Sequence, residues 1–149
     1  MLFAHGSRFG GHALYVKENR LHYTYNFVGM AEEKIVATED LPTGQKLILS
    51  ASFDKSGEDP PGVANGTLTL WHGDKKVGEG QIKTQPGKFM IAGEGLCIGR
   101  DGGAGVTDDY PGTEPFQFTD GTIRRVAVDV SGEPYIDLER EAQAMLMRE

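Results

Sequence analysis

Residues 100–113 hold the densest group of side chains in the sequence that could bind a ligand or a metal ion. The stretch reads Arg-Asp-Gly-Gly-Ala-Gly-Val-Thr-Asp-Asp-Tyr-Pro-Gly-Thr. Its carboxylates, on Asp101, Asp108 and Asp109, offer the oxygen ligands that calcium prefers. Runs of Asp and Gly also form turns without binding anything. We expect turns here, with calcium as the less favoured alternative, and we add Arg100 and Tyr110 to the candidate binding residues.

No catalytic motif accompanies this loop in the sequence. The serine-hydrolase elbow Gly-x-Ser-x-Gly is absent, and the glycines after Gly99 are not followed by the Lys-Ser/Thr of a phosphate loop. The acidic pairs Glu39-Asp40 and Glu58-Asp59 lie beside turn signals, which argues against the paired strand carboxylates of a glycosidase. The histidines, without the i, i+4 spacing of a helical zinc site, are His5, His12, His22 and His72. We therefore predict no catalytic residue and no resident metal.

Composition limits the partners that the chain can have. Its 149 residues indicate one domain, and its net charge of −7 argues against nucleic acid and sulfated polysaccharide as partners. No apolar run approaches the ~20 residues of a membrane span, and the first residues lack the pattern of a signal peptide. The single cysteine excludes an internal disulfide and does not decide the compartment. A parent polypeptide could be cytoplasmic or periplasmic.

Alternation of apolar and polar residues predicts a series of short strands that would position the loop. Leu21, Tyr23, Tyr25 and Phe27, for example, occupy one face of a strand with one buried side. Gly78 and Gly80 indicate a close backbone approach or a bulge, and residues 54–65 read as a loop. The predicted strands cover residues 12–17, 20–28, 34–38, 46–53, 67–71, 76–83, a short segment at 88–91, one beginning at 96, one at 116–118 and one at 126–130.

Many short strands separated by turn signals predict an all-β fold, an antiparallel two-sheet sandwich or jelly roll. The last residues differ, because Pro134 opens a stretch rich in helix formers. Its apolar residues recur at helical spacing: Tyr135, Leu138, Ala142 and Met145, with Leu146 beside them. We therefore predict a β-sandwich domain over residues 1–132 and a C-terminal α-helix over 133–149. That helix would pack on the sandwich or on a neighbouring domain.

Several stretches, taken in order, resemble the C-terminal region of large bacterial arylsulfatases. They are Ser-Arg-Phe-Gly-Gly-His-Ala-Leu-Tyr-Val-Lys at 7–17, Arg-Leu-His-Tyr-Thr-Tyr-Asn-Phe-Val-Gly at 20–29, Gly-Asp-Lys-Lys-Val-Gly-Glu-Gly at 73–80, Gly-Arg-Asp-Gly at 99–102 and the residues at 106–110. The resemblance implies a concanavalin A/laminin G-like jelly roll that follows a sulfatase catalytic domain. It also implies that this chain is a non-catalytic accessory domain, with that catalytic domain as its partner.

The catalytic motif of those sulfatases, Cys/Ser-x-Pro-x-Arg, has no match in this sequence. Around Cys97, glycine stands in place of the proline, and Arg100 comes one position early. Cys97 also lies in a strand pattern, where a cysteine usually behaves as a small apolar residue. The resemblance therefore transfers no catalytic residue to this chain.

A carbohydrate-binding module is the alternative, since concanavalin-like folds often bind sugars. Trp71, Tyr110 and Tyr25 are its candidate stacking residues, and Trp71 alternates with Leu68 and Leu70, which predicts an outward-facing ring. A third possibility is that the loop from Arg100 to Tyr110 borders the cleft of a parent enzyme. We favour the accessory role, because one tryptophan gives the sugar alternative little support.

Overall fold

Eight β-strands form the regular core of the protein in a computed structural model that describes residues 1–85, 95–119, 121–129 and 145–147. In chain order the strands are β1 (Phe3–Ser7), β2 (Gly10–Lys17), β3 (Arg20–Phe27), β4 (Ala31–Val36), β5 (Leu49–Glu58), β6 (Ala64–His72), β7 (Lys75–Lys83) and β8 (Leu96–Ile98).

The strands form two antiparallel sheets. The larger has the order β4-β3-β2-β1-β8, and the smaller has the order β5-β6-β7. A tight turn at Glu18–Asn19 joins β2 to β3, between the two strands predicted at 12–17 and 20–28, and both turn residues have positive φ angles, 50° and 63°. Positive φ at both central residues is typical of the tight turns that match strand twist. The all-β class with two antiparallel sheets is thus confirmed.

The first core lies between the two sheets. From the larger sheet it takes the inward side of β3 and β4, and from the smaller sheet the inward side of β6 and β7. Its buried residues are Leu21, Tyr23, Tyr25, Ile35, Ala37, Leu68, Leu70, Val77 and Ile82. A Cβ on Gly80 would lie 2.8 Å from the Ile35 side chain, and one on Gly78 would lie 3.2 Å from the Val36 carbonyl. The predicted close approach at these two glycines is therefore confirmed, and the strand brought near is β4.

A second core lies on the opposite face of the five-stranded sheet. The loop over residues 99–118 covers that face and buries Val106 and Tyr110 against the sheet. The sheet's own contribution includes Ala13 and Tyr15 of β2, both fully buried, and Ala4 of β1. The larger sheet is consequently buried on both faces along its middle strands, by a sheet on one side and by a loop on the other.

Two predicted strands near the C-terminal side are wrong. Residues 116–118 are irregular, although two backbone hydrogen bonds tie the segment to the start of the loop: Phe118 N to Gly99 O (2.8 Å) and Asp101 N to Pro115 O (2.9 Å). Residues 121–129 also form no strand, and the side chains of Val126 and Val128 are exposed. Alternation shows only that a segment could lie on a sheet, and these residues have no paired strand in the described part of the chain.

The boundaries of other strands also differ from the prediction. β1 was not predicted, because Phe-Ala-His-Gly-Ser has little apolar alternation. Most of the predicted loop at 54–65 belongs to β5 and β6, since β5 runs to Glu58 and β6 begins at Ala64. Beyond its first residues, β5 is exposed on both faces, and such a strand needs no apolar pattern.

The predicted C-terminal helix lies mainly outside the described residues. Residues 145–147 are helical and exposed. The rest of the predicted helix, the boundary at residue 132 and the predicted segment at 88–91 fall in stretches that the structure does not describe.

Candidate functional site

Asp101 and Tyr110 hold the loop together from within. Asp101 is 1% exposed, and its Oδ2 accepts hydrogen bonds from the Val106 amide (2.9 Å) and the Tyr110 hydroxyl (2.8 Å). The Tyr110 ring packs edge-on against Tyr15, with ring centroids 5.0 Å apart. Burial, together with the nearby Asp101 charge, raises the pKa of Tyr110. A buried carboxylate with two donors is well satisfied, so these candidates are part of the fold.

Asp109 ties the same loop to the strands of the sheet. Its Oδ2 accepts a hydrogen bond of 2.5 Å from the Tyr15 hydroxyl, and its Oδ1 accepts one of 2.7 Å from Lys17 Nζ. Lys34 Nζ lies 3.6 Å from Oδ1, and His22 Nδ1 lies 3.9 Å from Oδ2. We refer to Tyr15, Lys17, His22, Lys34 and Asp109 as the Asp109 cluster.

The protonation states in the Asp109 cluster follow from these contacts. Partial burial works to raise the pKa of Asp109, but the hydrogen bonds from Lys17 and Tyr15 outweigh burial and hold it below its ordinary value. Burial raises the pKa of Tyr15 and lowers that of His22. Because the Tyr15 hydroxyl donates to Asp109, it accepts from the Thr24 hydroxyl, 2.9 Å away. Asp109 is therefore a carboxylate whose charge is stabilised by the hydrogen bonds from Tyr15 and Lys17.

The remaining candidates do not join this group. Asp108 is exposed beside Asp109, and Arg100 is exposed near the start of the loop. Trp71 is on β6 of the other sheet, where its indole N–H donates to Ser52 Oγ on β5 at 2.9 Å. The structure thus brings Asp101 together with Tyr110, and it leaves Arg100, Asp108 and Trp71 outside these interactions.

An open cleft lies where three connections meet at one end of the larger sheet. Its volume is about 600 Å³, within the range of about 300–1,000 Å³ usual for small-molecule sites. The β1–β2 turn contributes Arg8 and Phe9, and the loop contributes residues 105–108. The β3–β4 connection contributes residues 28–31, with Asn26 and Glu32 on its flanks. We call this feature the turn cleft.

Asn26 connects the three walls of the turn cleft. Its Nδ2 donates to the Arg8 carbonyl (3.1 Å) and to the Val106 carbonyl (2.8 Å), and its Oδ1 accepts from the Gly29 amide (2.8 Å). The side chain is buried. One amide therefore fixes the positions of both turns and of the loop relative to one another.

A smaller cleft of about 260 Å³ adjoins the first and shares residues with it. Both are lined by Glu32, Thr107 and Asp108, and the smaller one reaches Lys34 and Asp109. The Thr107 hydroxyl donates to Glu32 Oε2 at 2.9 Å and accepts from the Asp109 amide at 3.1 Å. Thr107 thus links the wall of the turn cleft to the Asp109 cluster.

Two residues with potentially reactive side chains, Tyr15 and Cys97, lie in or against the second core. The Tyr15 side chain, whose hydroxyl donates a hydrogen bond to Asp109, is fully buried, so no substrate can reach it. Cys97 is half-buried and packs against the second core. Within the described ranges, no group of three or more His, Cys, Asp or Glu side chains could hold a metal ion. The described helical residues include no segment long and apolar enough to cross a bilayer.

Sequence reasoning missed most of the turn cleft. The predicted binding residues did not include Arg8, Phe9, Asn26, Met30 or Glu32. The available signal was local: glycines at 10, 11 and 29 mark the two turns that form the walls. That signal predicts turns, and it cannot show that the turns meet.

Comparison of the chain with protein-family models, with curated protein sequences and with solved structures finds no match in any of the three.

Proposed function

We propose that this chain is a non-catalytic accessory domain of an arylsulfatase polypeptide, where it stabilises or completes the catalytic domain. The proposal combines the sequence resemblance with one structural observation. The residues best suited to chemistry, Asp101, Asp109 and Tyr110, are all engaged in fixing the 99–118 loop on the sheet. These buried or half-buried polar groups are satisfied within the protein, which supports a structural role for them.

The jelly-roll topology is part of the same proposal. Jelly rolls place strands that are distant in sequence side by side. Here β8 returns to the larger sheet and pairs with β1, after the chain has formed β5, β6 and β7 in the other sheet. The other described connections, β1 to β4 and β5 to β7, run between neighbouring strands.

The carbohydrate-binding alternative receives less support from the geometry. Tyr110 is 5% exposed and Tyr25 is buried, so neither ring has a face open to a sugar in this conformation. Trp71 is half-buried on the smaller sheet, away from both clefts. The three proposed stacking residues therefore do not form one surface.

The accessory role is tested first by assaying the chain alone. Incubation with p-nitrophenyl sulfate and calcium should release no more nitrophenol than buffer. Saturable release that is lost in Cys97→Ala would contradict the proposal and would make Cys97 a nucleophile.

The second test concerns the parent polypeptide. The coding region around this chain should encode a domain with the Cys/Ser-x-Pro-x-Arg motif. Expressed with residues 1–149, that domain should melt at a higher temperature or retain more aryl sulfate hydrolysis than without them. A coding region with no such motif, or equal stability and activity of the two proteins, would refute the accessory role.

A further inference from the structure

Two opposite charges that have no ionic partner among the described residues lie on the walls of the turn cleft. The Arg8 guanidinium lies over the Phe9 ring, 5.0 Å from its centroid, and no carboxylate of the described residues pairs with it. Asp108 is exposed, and its carboxylate has no hydrogen bond or ion pair within the described part of the chain. The other acidic residue that lines the cleft, Glu32, has partners of its own. Its Oε2 accepts a hydrogen bond from the Thr107 hydroxyl and lies 3.4 Å from Lys34 Nζ.

The same cleft exposes two large apolar side chains. Phe9 is 60% exposed and Met30 is 81% exposed, and both line the cleft. Each lies on a short turn next to glycine, so neither is needed to fill the sandwich core. A thioether and an aromatic ring that line the same cleft offer an adaptable apolar contact surface.

The walls that carry these groups are held in place before any ligand arrives. Asn26 hydrogen-bonds to the backbone of both turns and of the loop. The two turns also touch, because a Cβ on Gly29 would lie 2.9 Å from the Arg8 carbonyl oxygen. A site with fixed walls loses less conformational entropy on binding than a flexible one.

We propose that the turn cleft binds a zwitterionic ligand of the amino acid or short-peptide class. The ligand carboxylate pairs with Arg8, whose planar guanidinium suits bidentate contact with a carboxylate. The ligand ammonium pairs with Asp108, and an apolar side chain contacts Phe9 and Met30. A purely anionic ligand would leave Asp108 unpaired, and a purely cationic one would leave Arg8 unpaired. A neutral sugar would use neither charge.

The test measures binding of the dipeptide leucyl-leucine to the full chain by isothermal titration calorimetry at pH 7 and low salt. Arg8→Gln and Asp108→Asn each remove one charge from the cleft. Their matched controls are Arg124→Gln and Asp54→Asn, which remove an exposed charge elsewhere. N-acetyl-leucyl-leucine amide lacks both terminal charges, and maltose serves as the neutral sugar.

We expect saturable binding of the dipeptide that weakens about tenfold or more in each cleft variant, as loss of a charge-assisted contact predicts. The control variants should bind leucyl-leucine like the wild type. The blocked dipeptide should bind the wild type at least as weakly as leucyl-leucine binds the cleft variants. No saturable dipeptide binding, or binding unchanged by both cleft substitutions, would overturn the proposal. Maltose binding that is lost in Phe9→Ala would also overturn it, in favour of a sugar site.

Discussion

The Asp109 cluster should make a measurable contribution to the stability of the whole domain. In Asp109→Asn the side chain keeps its size and one acceptor oxygen but loses its charge. The buried Tyr15 hydroxyl then loses its carboxylate acceptor, and Lys17 loses its ion-pair partner. The loop would be held on the sheet by fewer contacts, although its second core would remain.

The size of the effect follows from the two contacts. A hydrogen bond to a charged group contributes about 1.5–3 kcal/mol, and the Tyr15 bond is buried. The Lys17 pair is partly exposed, with 32% and 19% of the two side chains accessible, so solvent screening makes its contribution small beside that of the Tyr15 bond. We therefore expect Asp109→Asn to lower the free energy of unfolding by about 1.5–3 kcal/mol. For a domain of this size that corresponds to roughly 3–12 °C in Tm.

Urea unfolding at pH 7, followed by fluorescence of Trp71 on the other sheet, measures this change. Asp108→Asn is the matched control, because it makes the same substitution at the next residue, which has no partner in the described chain. Its effect should be within about 0.5 kcal/mol. The stabilising charge of Asp109 is present above its ordinary pKa of 3.8 and is lost as the pH falls through its lowered value. The wild type and Asp109→Asn should therefore converge in strongly acidic buffer.

Equal losses in the two variants would refute this reasoning. So would a difference between wild type and Asp109→Asn that does not shrink in acid, since the effect would then not come from the charge.

Three further predictions concern His12, the turn contact and calcium. Burial, aided by nearby His5, lowers the pKa of His12 from 6.5 to about 4. Unfolding therefore takes up a proton between these pH values, and the free energy of unfolding falls as the pH drops from 6.5 to 4. In urea titrations His12→Phe should lose about 3 kcal/mol less of that free energy over this range than the wild type, and an equal loss in the two proteins would contradict the shift. Gly29→Ala should destabilise the protein more than Gly44→Ala, because both glycines have φ near +75° but only Gly29 has backbone within 3 Å of a new Cβ; equal Tm values would contradict the contact. Tm should be the same in chelator as in millimolar calcium, and a rise of several degrees with calcium that Asp101→Asn abolishes would show a metal site.

Local patterns predicted the strands whose apolar residues lie on one face, although β3 is buried on both faces, since Thr24 and Asn26 are buried as well. The alternation in β3 works because Leu21, Tyr23 and Tyr25 all face the first core. The same reasoning placed β5 at residues 46–53 and missed its second half, because an edge strand that is exposed on both faces from there to Glu58 carries no apolar alternation. It also predicted a strand around Val126 and Val128 that does not form. An alternating pattern shows that a segment has apolar side chains on one face, and it does not show whether another strand is available to pair with it.

The sequence could not reveal which residues of the loop face the sheet. Asp109 contacts Tyr15 across 94 positions, and Asn26 contacts Val106 across 80. No local spacing encodes such pairs, so Asp101 and Asp109 looked like free ligands or turn formers. The turn cleft was missed for the same reason, because its walls come from three separate parts of the chain.

Amide hydrogen exchange at Val106 tests most directly the claim that the loop is a packed layer of the fold. The Val106 N–H is buried and donates to Asp101 Oδ2 inside the second core. If the loop is fixed on the sheet, this amide should exchange about as slowly as the amides that pair β2 with β3, since both would open only with the domain. Exchange near the rate of an unstructured peptide, with β2 and β3 still protected, would contradict the account.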